Sequence, residues 1–281
     1  MTGLSLALAN LKPGTGKTTS AVWLAHVFAQ AGNSVLLVDA DPSGSALEWS
    51  DLAAMDPHLA APEAAFPFRI VALPSRELHR RVPEIAQAGN SVLLVDADPS
   101  GSALEWSDLA AMYPGLAPER AAFPFRIVAL PSRELHRRLP EIAKHDDVVI
   151  IDTPQIEDHA SIARSALRYA DEILIPCAPS PIEINRTTPV RDEIAEVREG
   201  RDKPVRSAVL LNRCVARAHS TTDAREALVD LGYDVLSTVV PRREVYAQSF
   251  GVPIKHVGCD VWRQVARDLI ERCAPLCGVR S

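Results

Sequence analysis

Several features that would place a protein in a specialised class are missing from this chain of 281 residues. Its five cysteines include no C-x-x-C pair, which argues against a metal or disulfide role for them. No apolar run approaches the length that spans a bilayer, and the apolar N-terminus MTGLSLALAN lacks the basic segment of a signal peptide. A low-complexity tail and an obvious linker are also missing. We therefore expect a cytoplasmic protein in which residues 1–281 form a single domain.

The chain has no overall excess of positive charge. Its net charge of −6 argues against nucleic-acid binding over the whole surface. The charge is uneven, because residues 186–281 carry 16 Lys/Arg against 13 Asp/Glu, a net charge of +3, which leaves −9 for the rest. The C-terminal third is therefore the better candidate surface for an anionic partner.

Short apolar runs alternate with helical patterns along the chain, and 47% of the residues are hydrophobic. This alternation predicts an α/β fold with a mostly parallel twisted sheet and helices on both faces. The predicted strands are about 4–9, 34–38, 68–72, 147–152, 172–176, 208–212 and 235–240. The predicted helices are about 17–30, 45–54, 75–86, 156–170, 188–199, 222–231 and 261–272.

A tandem repeat is the most unusual feature that is present. Residues 31–87 (copy one) and 88–144 (copy two) align without a gap at a period of 57 residues, and they differ at seven positions. Both copies begin with AGNSVLLVDADPSGSALEWSDLAAM, and each predicts a strand, a helix, a strand and a helix. Two copies are too few for a solenoid.

A parallel sheet has room for one carboxylate-bearing strand of the repeat beside strand 147–152, so one copy is left over. Copy one has the short connection from helix 17–30, whereas copy two has the short connection into strand 147–152. The extra copy could extend one edge of the sheet, loop out or exchange with a partner chain. It could also be a recent duplication or an artefact without a function of its own.

A single glycine-rich loop lies between the first predicted strand and helix and reads Lys12-Pro13-Gly14-Thr15-Gly16-Lys17-Thr18-Thr19. A strand before the loop and a helix after it are the context in which a Walker-type motif binds phosphate. The glycines let the backbone approach phosphates closely, and the helix start supplies N–H donors. Lys17 is expected to neutralise phosphate oxygens, and the Thr18 hydroxyl is expected to ligate Mg²⁺. The loop therefore predicts binding of ATP and Mg²⁺.

This loop resembles that of the ParA/MinD family of deviant Walker A ATPases, which reads K-G-G-x-G-K-[ST]-[ST]. Leu11 stands where an ordinary Walker motif begins with glycine, and a second lysine, Lys12, lies inside the loop. The resemblance implies that Lys12 reaches across a sandwich dimer to the phosphates bound by the other subunit. Pro13 departs from the family's glycine, and proline has no N–H and a fixed φ. It either stiffens the loop with Lys12 aimed outward or reduces nucleotide affinity.

The resemblance extends to the carboxylates. VLLVDADPSGSA resembles the family's switch I segment, in which the second aspartate positions the attacking water and the first helps to hold the Mg²⁺ shell. Those roles fall on Asp41 and Asp39 in copy one, or on Asp98 and Asp96 in copy two. Asp152 in VVIIDTP resembles the switch II carboxylate, which lies just outside the direct ligands of Mg²⁺.

Three later segments also resemble the family. ILIPCAPSPIEI, residues 173–184, resembles the segment after switch II. Asn212 in LLNR resembles the asparagine that contacts adenine, and Pro241 in VVPRRE lies where a loop packs on the base. The resemblance covers essentially the whole chain except the extra copy, and it begins at the phosphate loop, so we expect no separate N-terminal DNA-reading domain.

The resemblance implies a partition or positioning ATPase with weak intrinsic activity, acting in plasmid or chromosome segregation or in cargo positioning. Such a protein forms an ATP-sandwich homodimer, binds DNA non-specifically at the nucleoid and hydrolyses ATP when a ParB-like or other adaptor protein stimulates it. The candidate DNA contacts are Arg213, Arg217, Arg242, Arg243, Lys255, Arg263 and Arg267.

Two alternatives remain at this point. A membrane-acting MinD-like ATPase is disfavoured because the tail APLCGVRS lacks an amphipathic helix, so we expect no membrane contact. A nucleotide-binding scaffold that does not hydrolyse ATP, impaired by Pro13 and by the duplication, stays open.

Overall fold

Parallel strands flanked by helices make up the part of the chain that the structure describes. The structure is a computed structural model, and it describes residues 4–41, 46, 126–201, 203–249, 254 and 257–273. The strands are β1 (Leu4–Leu8), β2 (Val35–Asp39), β3 (Arg126–Ala129), β4 (Val148–Asp152), β5 (Glu172–Cys177) and β6 (Arg206–Leu211). The helices are α1 (Lys17–Gln30), α2 (Leu135–Ile142), α3 (Ile156–Tyr169), α4 (Pro181–Asn185), α5 (Thr187–Glu199), α6 (His219–Asp230), α7 (Glu244–Ala247) and α8 (Cys259–Cys273).

The strands lie in the order β3-β2-β4-β1-β5-β6, and every pairing is parallel. All residues of β1, β2, β4 and β5 are buried, as expected for strands with helices on both sides. One core cluster packs α1 and α8 against the sheet and includes Trp23 and Trp262. The other packs α2, α3, α5 and α6 and includes Leu139 and Leu167. The predicted α/β fold with a parallel sheet is thus confirmed. In the described part of the chain, each helix is too short or too polar to cross a membrane.

The two repeat copies each contribute to this sheet. β2 belongs to copy one, whereas β3 and α2 belong to copy two. β2 pairs with β3 on one side and with β4 on the other, so both short connections are used at once. The copy-one counterpart of β3 and the copy-two counterpart of β2, with Asp96 and Asp98, lie outside the described residues. The predicted extension of the sheet edge concerns the same residues and stays a prediction.

The predicted strand over 235–240 is wrong. This segment forms isolated parallel bridges, from Val235 to Val209 of β6 and from Pro241 to Cys214, and the Val240 N–H donates to the Leu211 carbonyl at 2.9 Å. Between the bridges, the N–H of Thr238 donates to the Asp268 carboxylate on α8 at 2.9 Å, and the Ser237 hydroxyl donates to the same oxygen at 2.7 Å. The Thr238 donor is therefore bound to a helix instead of a neighbouring strand.

A buried carboxylate joins α8 to the opposite, amino end of the sheet. Glu172, the first residue of β5, is fully buried and lies 3.0 Å from the Arg272 guanidinium of α8 and 3.3 Å from that of Arg206 on β6. Burial raises the pKa of Glu172, and the two guanidinium groups oppose that rise. This network fixes the end of α8 at the edge of the sheet away from the phosphate loop.

Candidate nucleotide-binding site

The glycine-rich loop and two aspartates meet at the carboxyl ends of three neighbouring strands. The loop connects β1 to α1, and the register aligns Leu8 of β1 and Asp39 of β2 with Asp152 of β4. Ligands of open parallel α/β sheets bind outside these strand ends. The strand order therefore places the candidate phosphate site and its candidate carboxylates side by side.

The loop conformation requires glycine at two positions. Gly14 has φ +74° and Gly16 has φ +91°, in the left-handed region that favours glycine. Gly16 is also the N-cap of α1, and it provides no side-chain cap for the helix. No N-cap side chain therefore occupies the first N–H groups of α1, and N–H groups at a helix start suit an anion. Thr19 lies in this first turn, and Thr15 in the loop is buried.

Lys17, Thr18 and Asp152 converge beneath this loop. Lys17 is buried at the start of α1, and the Thr18 hydroxyl donates to Asp152 Oδ2 at 2.6 Å. Burial raises the pKa of Asp152 to about 7; the Thr18 hydrogen bond and the Lys17 charge oppose this rise, and the charge of Asp41 adds to it. Asp152 Oδ1 has no hydrogen-bond partner among the described residues. A hydroxyl beside a buried carboxylate with a free oxygen fits a hard cation such as Mg²⁺, which favours the ionised carboxylate.

Asp39 and Asp41 differ in their surroundings. Asp39 is buried, and its two oxygens accept hydrogen bonds from the backbone N–H groups of Asp41 at 3.1 Å and Ala46 at 3.0 Å. Asp39 therefore shapes the segment that presents Asp41. Asp41 is only partly buried, and its charge acts on Asp152. Copy one thus places its aspartate pair beside Asp152. The roles in water activation and in holding Mg²⁺ stay predictions.

Asn212 lies against the phosphate loop. A Cβ atom added to Gly16 would lie 2.6 Å from Asn212 Nδ2, so this close approach also requires glycine. Asn212 is buried; its Oδ1 accepts from the N–H of Arg213 at 2.7 Å, and its own N–H donates to the Cys177 carbonyl at 2.8 Å. Pro241 is bridged to Cys214, two residues after Asn212. The structure thus places Asn212 against the loop and joins Pro241 to the segment after Asn212, and their roles as base contacts stay predictions.

Lys12 contacts a residue that the sequence did not single out. Its ammonium forms an ion pair with the Glu157 carboxylate at the start of α3, in the same subunit. Lys12 is thus directed to α3 in its own subunit, and the consequences expected from Pro13 stay predictions. A glutamate in the first turn of a helix is common, so no sequence signal distinguished Glu157.

Comparison with known proteins supports the nucleotide site. The CobQ/CobB/MinD/ParA nucleotide binding domain family matches residues 6–59. The chain is 27% identical over 257 residues to the maintenance of carboxysome distribution protein A of Halothiobacillus neapolitanus, covering 90% of this chain and 88% of that protein. It is 27% identical over 289 residues to the chromosome partitioning protein ParA of Myxococcus xanthus, covering 97% and 90%.

A solved structure shows the same fold. Cobyrinic acid a,c-diamide synthase from Mycobacterium smegmatis, with bound ATP analog and magnesium, superimposes with a TM-score of 0.62 and 22% identity. The match covers 99% of this chain and 97% of that one. That synthase thus binds an ATP analog and magnesium on a fold similar to this one.

Proposed function

Because the chain belongs to the ParA/MinD-type family of P-loop nucleotide-binding proteins, we propose that it hydrolyses ATP with Mg²⁺ as a partition or positioning ATPase. The observation that carries this proposal is the meeting of Lys17, Thr18 and Asp152 under a loop whose glycines have positive φ. Such a site neutralises phosphate charge, which phosphoryl transfer requires more than covalent chemistry.

Each group of the site has a place in this reaction. The N–H groups at the start of α1 and the Lys17 ammonium bind the β- and γ-phosphates of ATP. The Thr18 hydroxyl would hold Mg²⁺, with Asp152 just outside its direct ligands, and the ion would neutralise phosphate charge when it is bound. Asp41 orients a water molecule, whose oxygen bonds to the γ-phosphorus as the bond to the β–γ bridging oxygen breaks. ADP and inorganic phosphate leave, and the water's proton passes to phosphate and solvent.

Phosphate release from MgATP tests this activity. Lys17→Ala should lower the rate by about 100-fold or more, because it removes a charge at the phosphates. Lys144→Ala, at an exposed lysine near the far end of the sheet, is the control and should leave the rate unchanged. Equal rates in the wild type and Lys17→Ala would contradict the assignment. Nucleotide binding without phosphate release in the wild type would favour the scaffold.

We further propose that ATP-bound dimers bind DNA through exposed arginines near Asn212. The hydrogen bond from the Arg242 N–H to the Cys214 carbonyl, at 2.8 Å, holds two loops together. These loops carry Arg213, Arg217 and Arg242, which form no ion pair among the described residues. Arg243 differs, since it pairs with Asp260 at 3.6 Å. Unpaired arginines on one edge suit the phosphates of a nucleic-acid backbone. Lys255 lies outside the described residues.

A mobility-shift assay with non-specific DNA tests this surface. The triple variant Arg213→Ala/Arg217→Ala/Arg242→Ala should weaken binding with ATP at least about tenfold and should lower the salt dependence. The control triple variant, Arg133→Ala/Arg137→Ala/Arg168→Ala, removes the same charge from exposed positions on α2, α3 and the loop before α2. Equal losses in both triple variants would contradict this surface. No shift of the wild type with ATP at low salt would contradict DNA binding altogether.

The remaining parts of the proposal are an ATP-dependent homodimer that uses Lys12, stimulation by a ParB-like or other adaptor protein, and a cytoplasmic, nucleoid-associated location. They are supported by the similarity to proteins named for chromosome partitioning and carboxysome distribution. Light scattering after size-exclusion chromatography, with ATP and with ADP, tests the dimer. A chain that stays monomeric with MgATP would contradict it.

A further inference from the structure

The segment that leads into the phosphate loop is bonded to the first turn of α3. The Ile156 N–H donates to the Asn10 carbonyl at 3.2 Å, and the Glu157 N–H donates to the Leu11 carbonyl at 3.4 Å. The next residue, Lys12, forms the ion pair with Glu157. Three successive residues of the chain thus hold one helical turn.

These contacts take the place of an ordinary helix cap. Gln155 precedes α3 and makes no side-chain cap, so the first N–H groups of the helix depend on the Asn10 and Leu11 carbonyls. The first turn is also separate from the rest of α3, because His159 has non-helical φ −133° and ψ 45°. The break at His159 thus separates the turn that is bonded to the phosphate-loop segment from the remainder of the helix.

The ion pair restricts where the Lys12 ammonium can lie. A lysine side chain carries one charged nitrogen, which binds either Glu157 in its own subunit or a phosphate held by a second subunit. While Lys12 is paired with Glu157, its ammonium is bound within its own subunit and does not reach a phosphate held by the second subunit. The contact therefore competes with the dimer.

We propose that Glu157 is a positioning residue that holds Lys12 within its own subunit and so opposes ATP-dependent dimerisation. This inference rests on the proposed function, since it assumes that Lys12 acts in an ATP-bound dimer. The side chains of Lys12 and Glu157 are 37% and 46% exposed, and an exposed ion pair shifts an equilibrium by about twofold to fivefold. Each dimer breaks two such pairs. The dimerisation constant should therefore change by the square of this factor, about 4- to 25-fold.

Glu157→Gln tests the proposal against a matched neighbour. Asp158→Asn removes one negative charge from the same exposed turn, where Asp158 accepts a hydrogen bond from Gln155 at 2.9 Å and not from Lys12. Sedimentation velocity at increasing MgATP should show that Glu157→Gln dimerises about 4- to 25-fold more tightly than the wild type. Asp158→Asn should match the wild type. An equal change in both variants would show a general charge effect and would overturn the proposal.

A second measurement reports the ion pair without a dimer. An amine-reactive reagent should label Lys12 faster in nucleotide-free Glu157→Gln than in the wild type or Asp158→Asn, as read by mass spectrometry. Equal labelling would overturn the proposal, whatever the dimerisation result. Faster labelling with unchanged dimerisation would overturn the competition. If the wild type stays monomeric with MgATP, the proposed function fails in that respect; a Glu157→Gln dimer would then support the inference, and a monomeric Glu157→Gln would overturn it.

Discussion

Gly16 has no side chain, and this leaves room for the side chain of Asn212. The Asn212 amide occupies the space that a Cβ atom at Gly16 would need, at 2.6 Å. Gly14, on the other side of Thr15, has similar positive φ but nothing within 4 Å of its added Cβ. A comparison of the two glycines therefore distinguishes the effect of positive φ from the effect of the close contact with Asn212.

We expect Gly16→Ala to lower the free energy of unfolding by about 1 kcal/mol more than Gly14→Ala. Both variants place alanine at positive φ, at a similar cost of about 1–2 kcal/mol. Only Gly16→Ala also displaces Asn212 from its hydrogen bond with the Arg213 N–H, which is worth about 1 kcal/mol. Urea unfolding of the nucleotide-free protein measures both. In an Asn212→Ala background the two alanine variants should cost the same; a difference that persists there would contradict the contact.

Most strands and helices follow from local residue patterns. β1, β2, β4 and β5 are apolar runs buried on both faces, and the pattern predicts them without knowledge of their neighbours. The segment 235–240 has the same apolar character, but Asp268 on α8 takes the Thr238 donor. That partner lies about thirty positions away, so no local pattern reveals it.

The Glu172 network predicts a large loss of stability from a small substitution. Glu172→Ala should lower the free energy of unfolding by about 2 kcal/mol, because it removes the buried partner of Arg206 and leaves Arg272 paired only with the exposed Asp234. This value is below that for a fully buried pair, since the arginine side chains are 30% and 24% exposed. Urea unfolding should show a change of less than about 0.5 kcal/mol for Glu271→Ala, at an exposed neighbour on α8. Equal losses would contradict a structural role for the network.

At the scale of the whole molecule, each copy of the repeat contributes a different part to the described fold. β2 comes from copy one, and β3 and α2 come from copy two. Nearly identical segments do not reveal from sequence which copy enters the sheet, because the choice depends on connection lengths and on the few positions that differ. One of those positions is informative. Leu139 of α2 is fully buried, and copy one has Val82 there.

Deletion of one period should leave a working ATPase, since the shortened chain keeps β2 from copy one and β3 and α2 from copy two. The deletion joins Phe68 to Arg126 and restores a continuous single copy of the repeat. We expect phosphate release within about twofold of the full chain. A deletion variant that fails to fold would show that the extra period is an integral part of the domain.

A second deletion provides a matched comparison. Removing residues 88–144 gives a chain that differs from the first deletion only by Val82 in place of Leu139 and Gln87 in place of the exposed Lys144. It should be about 1 kcal/mol less stable in urea, because one buried methylene is lost. Equal stability would contradict the packing of Leu139 in the core.

The aspartate pairs of the two copies can be compared in one experiment. Asp41 follows β2 and lies beside Asp152, and the charge of Asp41 raises the pKa of Asp152. Asp98 lies outside the described residues. In the full chain, Asp41→Ala should lower phosphate release from MgATP by about 100-fold or more, as loss of the group that orients the water would. Asp98→Ala should release phosphate at the wild-type rate. Loss of activity in Asp98→Ala with activity retained in Asp41→Ala would contradict the account.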